Sequence, residues 1–247
     1  WARVSLGAAT LAVLPGARTR IERADWRRIV AISVLWVGIP FTLFPLAEEH
    51  INSAVTGLLN GATPLFASLF GALLFERVPR GPQRVGLAVG FVGITLVSLG
   101  SAGEGGTATV GVAMVLAATV CYGIATNLTT SLQQKYGSVA LMSKMLALAT
   151  VWTAPFGIWG LARSAFGWAP LVATSVLGVV GTGVAFALMG TLVGRVGAPR
   201  ATFITYLIPV VALALGAAFR GDTVSAWALV GVALVIAGAV LASRREH

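Results

Sequence analysis

Eight stretches of this chain carry no charged side chain over lengths that can cross a bilayer, whose hydrocarbon core takes about 20 apolar residues per helix. They are residues 29–47, 51–75, 85–103, 105–134, 145–162, 164–194, 201–219 and 223–243. A segment in lipid has to satisfy its own backbone hydrogen bonds, which a helix does, so the expected fold class is an all-α, polytopic membrane protein. A ninth run, residues 4–14, is shorter than a span. Residue 1 is Trp and the chain opens inside that run with no charged leader, which argues against a signal peptide. Residues 1–14 read as most of a helix whose start lies upstream. Helices are expected at roughly 1–14, 27–47, 51–75, 83–101, 108–130, 139–161, 167–194, 199–219 and 223–243.

Composition agrees with a bilayer environment. The chain is 57% hydrophobic and 10% charged, with mean hydropathy +0.90, where a soluble domain is about a quarter charged. Its net charge of +9 is spread over short loops rather than gathered on one soluble face, so nucleic acid is not an expected partner. Fourteen of the 17 basic residues fall on one side when the loops are assigned alternately: Arg18, Arg20, Arg23, Arg27, Arg28, Arg77, Arg80, Arg84, Lys135, Lys144, Arg195, Arg200, Arg244 and Arg245. The positive-inside rule makes that side, and the C-terminus, cytoplasmic. The single Cys121 lies inside a span and excludes an intramolecular disulfide framework.

The segment from Gly38 to Leu96 recurs 145 residues later without a gap. Gly38, Phe41, Leu43, Pro64, Ala67, Gly71, Ala72, Gly86, Ala88, Gly93 and Leu96 return as Gly183, Phe186, Leu188, Pro209, Ala212, Gly216, Ala217, Gly231, Ala233, Gly238 and Leu241. The expected organisation is a first repeat over residues 1–100, a Gly-rich linker at 101–107 and a second repeat over 108–247. The second copy shows five helices and the first four, one short at the N-terminus. An odd number of helices per unit makes the second copy enter the membrane from the opposite side. The repeats are then inverted, the geometric basis of alternating access about a substrate site between the copies.

Polar groups inside the spans nominate the cavity. Pro64 and Pro209 each remove a backbone donor and free the carbonyl four residues earlier, at Asn60 and Thr205. A polar side chain at both positions argues that this face points inward, where protein or water can satisfy it. The face reads Gly57, Asn60, Gly61, Pro64, Ser68 and Gly71 in one copy, and Thr202, Thr205, Tyr206, Pro209 and Gly216 in the other. Small residues at such spacing also serve close helix packing, and for the glycines that reading is equally good. For Asn60 and Tyr206 cavity lining is favoured, because an amide or phenol at mid-span needs partners that lipid lacks. Trp36, Tyr122 and Asn127 are further cavity candidates; Tyr122 shares a helical stripe with Thr126 but not with Asn127. For Trp36 and Trp152 an aromatic wall and a lipid-facing position stay open, while Trp26, Trp168 and Trp227 at span ends read as interface anchors. No ionisable residue is expected at mid-span, and Glu48, Glu49 and His50 read as a solvated loop rather than a proton-coupling site.

The run from Ser53 to Pro79, with its small residues, mid-helix Pro64, Glu76 after an aliphatic stretch, and Gly86 and Gly93 seven apart, resembles the EamA-type repeat of the drug/metabolite transporter superfamily. The second copy keeps Pro209, Gly216, Gly231 and Gly238 but has Gly221 where Glu76 would fall, with Asp222 beside it. The resemblance implies a ten-helix carrier of the bacterial inner membrane, both ends cytoplasmic, that moves amino acids, other metabolites or drugs, often outward. It carries no substrate-reading residue onto this chain. The function expected is therefore secondary transport of small organic solutes, with no cofactor and no metal. Proton or ion coupling and a homodimer stay open. A membrane-embedded enzyme would need a nucleophile, base or metal set at one depth, which the residues do not assemble. A scaffold or sensor would need no polar stripe, and this chain has one in each copy.

Overall fold

The apolar runs fold as helices. The structure, a computed structural model, describes all residues except 76–80, 103–107, 166, 197–210, 212–214, 216–217, 219–225 and 244–247. The helices are α1 (Ala2–Ala12), α2 (Trp26–Ser33), α3 (Ile39–Ala47), α4 (Ser53–Asn60), α5 (Thr63–Phe75), α6 (Pro82–Ala102), α7 (Ala108–Tyr136), α8 (Ser138–Leu161), α9 (Trp168–Gly178), α10 (Ala185–Val196) and α11 (Ala226–Ser243). Five stretches among the described residues are long and apolar enough to cross a membrane: Arg23–Ala47, Val55–Leu74, Ala108–Tyr136, Ser138–Leu161 and Trp168–Arg195. Arg84–Leu96 and Leu229–Gly238 are shorter apolar stretches within α6 and α11. The chain is thus an all-α, multi-pass membrane protein.

Four of the expected helices differ in detail, three of them here and the one at 51–75 at the site below, and the expected helix at 199–219 lies almost wholly outside the described residues. The expected helix at 108–130 continues to Tyr136, where Lys135 pairs with Glu22 at 2.7 Å and Asp25 at 2.9 Å, and Tyr136 donates to Asp25 at 2.6 Å. The last turn of α7 is therefore held by a polar cluster, while Leu132 one turn earlier is fully buried. The expected helices at 27–47 and 167–194 each change to wide π turns in mid-course, at Val34–Gly38 and Val179–Val184. Val34 and Val179 are equivalent positions in the repeat register, so the duplication extends to this local geometry.

The chain divides into two compact units. The first comprises Trp1–Gly38 and Leu128–Gly197, and its core holds the fully buried Leu11, Ile29, Ile32, Leu132, Leu141, Met142, Met145 and Leu146. Within it α1 lies antiparallel to α8, since Gly16 packs on Val139 and Gly157 on Trp1. Gly7 packs against Gly178, and the Trp152 indole N–H donates to Ser33 Oγ at 3.3 Å. Trp152 is the repeat equivalent of Gly7, and Gly178 that of Ser33. The two contacts thus interchange when the copies are exchanged, as a two-fold requires.

The second unit comprises Ile39–Asn127 and Ala198–His247. Here Gly93 of α6 meets Gly231 and Val235 of α11, while Gly238 meets Gly86 and Gly90. Gly231 and Gly238 are the repeat equivalents of Gly86 and Gly93, so equivalent helices run antiparallel in direct contact. That is what inversion of the repeat predicts. Small residues are used because helices in lipid associate by close packing, apolar tails offering no hydrophobic gain. Beside this pair Ala62, Leu65, Phe66, Leu87, Ile94 and Val235 form one buried cluster, with Phe91 edge-on to Phe66 at 5.6 Å. Ala47, Ile51, Val55, Leu59, Ala108, Val112 and Val115 form another. Large apolar side chains such as Phe156, Trp159, Leu161 and Val172 stay exposed, as lipid-facing residues do, and Trp168 and Trp227 are exposed near helix ends where interface anchors belong.

Candidate functional site

The expected helix at 51–75 is two helices. α4 ends at Asn60, Gly61 and Ala62 turn, and α5 begins at Thr63. Pro64 therefore sits in the first turn of α5, where a missing N–H costs little, and not in a helix interior as its sequence position suggested. The carbonyl that Pro64 leaves without a backbone donor, that of Asn60, accepts the Thr63 hydroxyl at 2.8 Å. Asn60 Oδ1 is a second, longer acceptor of the same hydroxyl at 3.2 Å. Gly61, Ala62, Thr63 and Pro64 are buried, and Asn60 is half-buried. The two helices thus join through a two-residue turn that keeps a right-handed helical backbone at Gly61 (φ −58°, ψ −14°) and short-range backbone bonds across it.

α7 crosses α5 just beyond this break. Gly123 lies against the backbone of Phe66 and Ala67, so close that a Cβ there would stand 2.7 Å from the Phe66 carbonyl carbon. One turn further on, Asn127 Nδ2 donates to the Ala67 carbonyl at 2.8 Å and to its own Gly123 carbonyl at 2.9 Å. Gly71 gives the amide room, its absent Cβ position being 3.2 Å from Asn127 Oδ1. Tyr122 stacks at a tilt on Phe44, ring centres 5.8 Å apart, and its carbonyl accepts the Thr126 hydroxyl at 2.7 Å. Pro64 and Asn127 are thereby on helices that touch, and the Asn127 amide clamps α7 to α5. Asn127→Ala is expected to lower stability by about 1 kcal/mol, the scale of interhelical hydrogen bonds in membranes, read as a fall in thermal midpoint in detergent.

Trp36 belongs to the first unit. It lies in the π turn Val34–Gly38, is 8% exposed, and its ring centre is 5.9 Å from that of Phe186. Burial decides against the lipid-facing position. The matching π turn Val179–Val184 holds Thr182, fully buried, whose hydroxyl donates to the Leu177 carbonyl five residues back at 3.0 Å. Arg3 Nε donates to the same oxygen at 2.8 Å. A guanidinium therefore reaches inside the span Trp168–Arg195, where the sequence led us to expect no ionisable group. π turns release a backbone carbonyl from regular pairing and recur at functional positions. The sequence signal for them was present but weak: Gly38 and Gly183 in register, and Thr182 as an isolated polar residue in an apolar run.

Thr205, Tyr206 and Pro209 lie outside the described residues, as does Glu76. Glu48 and Glu49 are exposed and His50 half-buried in the turn after α3, as a solvated loop would place them. Thr63 was missed by sequence reasoning because a Thr next to a Pro in an apolar run carries no signal until the chain turns there.

Comparison with known proteins adds the family. The model of the EamA-like transporter family matches residues 2–99 and again 109–244. An uncharacterized transporter of Archaeoglobus fulgidus is 25% identical over 229 residues, covering 92% of this chain and 81% of the relative. A probable terminal-alkyne amino-acid exporter of Streptantibioticus cattleyicolor is 29% identical over 201 residues, covering 80% of this chain and 66% of the relative. A probable amino-acid metabolite efflux pump of Salmonella typhimurium is 24% identical over 206 residues, covering 79% and 69%. A solved crystal structure at 18% identity superposes with a TM-score of 0.63 over 98% of this chain and 84% of its own, which supports the fold. An inverted pair of helical repeats, a broken helix beside buried polar groups and a family match over both halves lead to one conclusion: this chain belongs to the EamA-like transporter family, whose members carry small molecules across membranes.

Proposed function

We propose that the chain exports amino acids or closely related metabolites across the bacterial inner membrane by alternating access, with the break between α4 and α5 at the substrate site. The break is the observation that carries this reading. At it the backbone groups of the turn are paired among themselves, and the half-buried Asn60 amide is the polar side chain placed there. A side-chain amide donates to a carboxylate and accepts from an ammonium, which suits a zwitterion, and broken helices mark substrate sites in other inverted-repeat carriers. Two relatives are named as probable exporters of amino acids or their metabolites, which supports the same class. The functional halves are residues 1–100 and 108–247, joined by the Gly-rich linker 101–107, and their exchange of shape supplies the two access states.

The test is counterflow in proteoliposomes with labelled neutral amino acids, an acidic amino acid and a cationic dye, each with and without a pH gradient. Saturable exchange of a zwitterion is expected. Exchange of the dye alone would overturn the substrate class. Topology is tested separately: a cysteine at Arg20 or Arg195 is expected to resist an impermeant thiol reagent in intact cells and to react after lysis, because both lie on the side holding most basic residues. Labelling in intact cells would place the C-terminus outside.

A further inference from the structure

α1 and α8, antiparallel repeat equivalents in the first unit, bound a cavity of about 430 Å³, a volume of ligand rather than single-water scale. Ala8, Ala12 and Ala147 form its walls, Thr150 its far end, and Arg18 and Lys144 its near end. None of the residues at the helix break or in the π turns lines it. The faces of α1 and α8 that carry Gly7 and Trp152 are the ones packed on Gly178 and Ser33, so the alanine-lined faces turn elsewhere, and Ala12 and Ala147 are exposed. The charge at the near end is unbalanced. Glu22 and Asp25 are the acids in this unit's sequence, and Lys135 takes both, at 2.7 and 2.9 Å. Among the described residues no acid pairs with Arg18 or Lys144.

We propose that this groove binds an anionic phospholipid, its phosphate between Arg18 and Lys144 and an acyl chain along the alanines toward Thr150. The guanidinium offers a planar fork and the ammonium a point charge, the two complements of a phosphate. The cations lie at the end of the groove expected to be cytoplasmic, where anionic lipid attracts basic residues and where basic pockets between helices take phospholipid headgroups. What selects lipid over free phosphate is the wall: a spanning helix and its partner present alanine methyl groups, with the Ser5 and Ser143 hydroxyls turned onto their own helix carbonyls, leaving a mainly apolar channel that continues from the charge. The proposal rests on membrane residence and not on the solute class, so it stands or falls independently of the transport assay.

Purified protein in mild detergent is examined by native mass spectrometry and thermal unfolding with phosphatidylglycerol, phosphatidylcholine or sodium phosphate added. Phosphatidylglycerol is expected to stay bound and to raise the unfolding midpoint, and the other two are not. Arg18→Gln with Lys144→Gln is expected to lower its occupancy roughly 30-fold, the scale of losing two basic contacts with anionic lipid. Ala147→Phe, which fills the channel and leaves both charges in place, is expected to lower occupancy as well, whereas Arg163→Gln, exposed beyond the other end of α8, leaves it unchanged. Equal retention of both lipids, an unaltered double variant, or the same stabilisation by phosphate alone would each overturn the proposal. So would a dimer that dissociates in Ala147→Phe with lipid occupancy unchanged, which would make the groove a seat for a second copy.

Discussion

Gly93→Ala is expected to cost about 3 kcal/mol or more, the upper range for inserting a methyl into a packed interface. The added Cβ would stand 2.5 Å from the Gly231 carbonyl oxygen and 2.6 Å from the Val235 nitrogen. Both are backbone atoms of a helix, which cannot rotate away as a side chain can, so α6 and α11 would have to separate along their whole contact. The measurement is the thermal unfolding midpoint in detergent, together with the monodisperse fraction on size exclusion. Gly160→Ala provides the contrast. Its Cβ would meet nothing within 4 Å, and alanine is the better helix former, so a neutral or slightly stabilising effect is expected. Equal behaviour of the two variants would remove the claim that contact between equivalent helices of the inverted copies holds the second unit together.

Asn60→Ala is expected to lower the transport rate at least about 10-fold while leaving the fold in place, the size of one lost polar contact to a bound solute. The fold survives because the Thr63 hydroxyl keeps its shorter bond to the Asn60 carbonyl at 2.8 Å when the side-chain acceptor at 3.2 Å is removed. The amide is therefore dispensable to the turn and available to a solute. Thr63→Val tests the complementary role. It strands the carbonyl that Pro64 leaves without a donor, so its expected loss is in thermal stability, with flux lowered only in proportion to folded protein. If Asn60→Ala keeps the wild-type rate and substrate affinity, the amide has no part in transport.

Five of the eight expected spans, the all-helical class and the inverted duplication were legible in the sequence, because each follows from composition over about 20 residues or from a register that needs no partner. Gly86, Gly93, Gly231 and Gly238 were legible as repeated positions, and the structure shows what they do: they pack on each other, in antiparallel pairs. Of the site candidates, Asn60 and Pro64 lie together at one helix break and Tyr122 and Asn127 on the helix that crosses just beyond it, while Trp36 packs on Phe186. The substrate is not written in these residues, since an amide, a phenol and an indole accept many solutes.

Sequence alone thus determined that this chain lives in a bilayer, that it is built twice, and that the second copy is inverted. Tertiary structure decided where the helices depart from regularity. Gly61 and Ala62 turn although α4 and α5 could have been one kinked helix, and Val34–Gly38 and Val179–Val184 widen where the sequence carries only the weak signal of Gly38, Gly183 and Thr182. The reason is that backbone hydrogen bonds inside lipid must be satisfied somewhere, and a helix can release one only where another segment supplies the partner. Thr63 supplies it for Asn60, and Thr182, itself bonded by Arg3 from α1, supplies it for Leu177. Both hydroxyls are close in sequence to the carbonyls they serve, but where the helix turns or widens, and that Arg3 holds one of them, is set by packing.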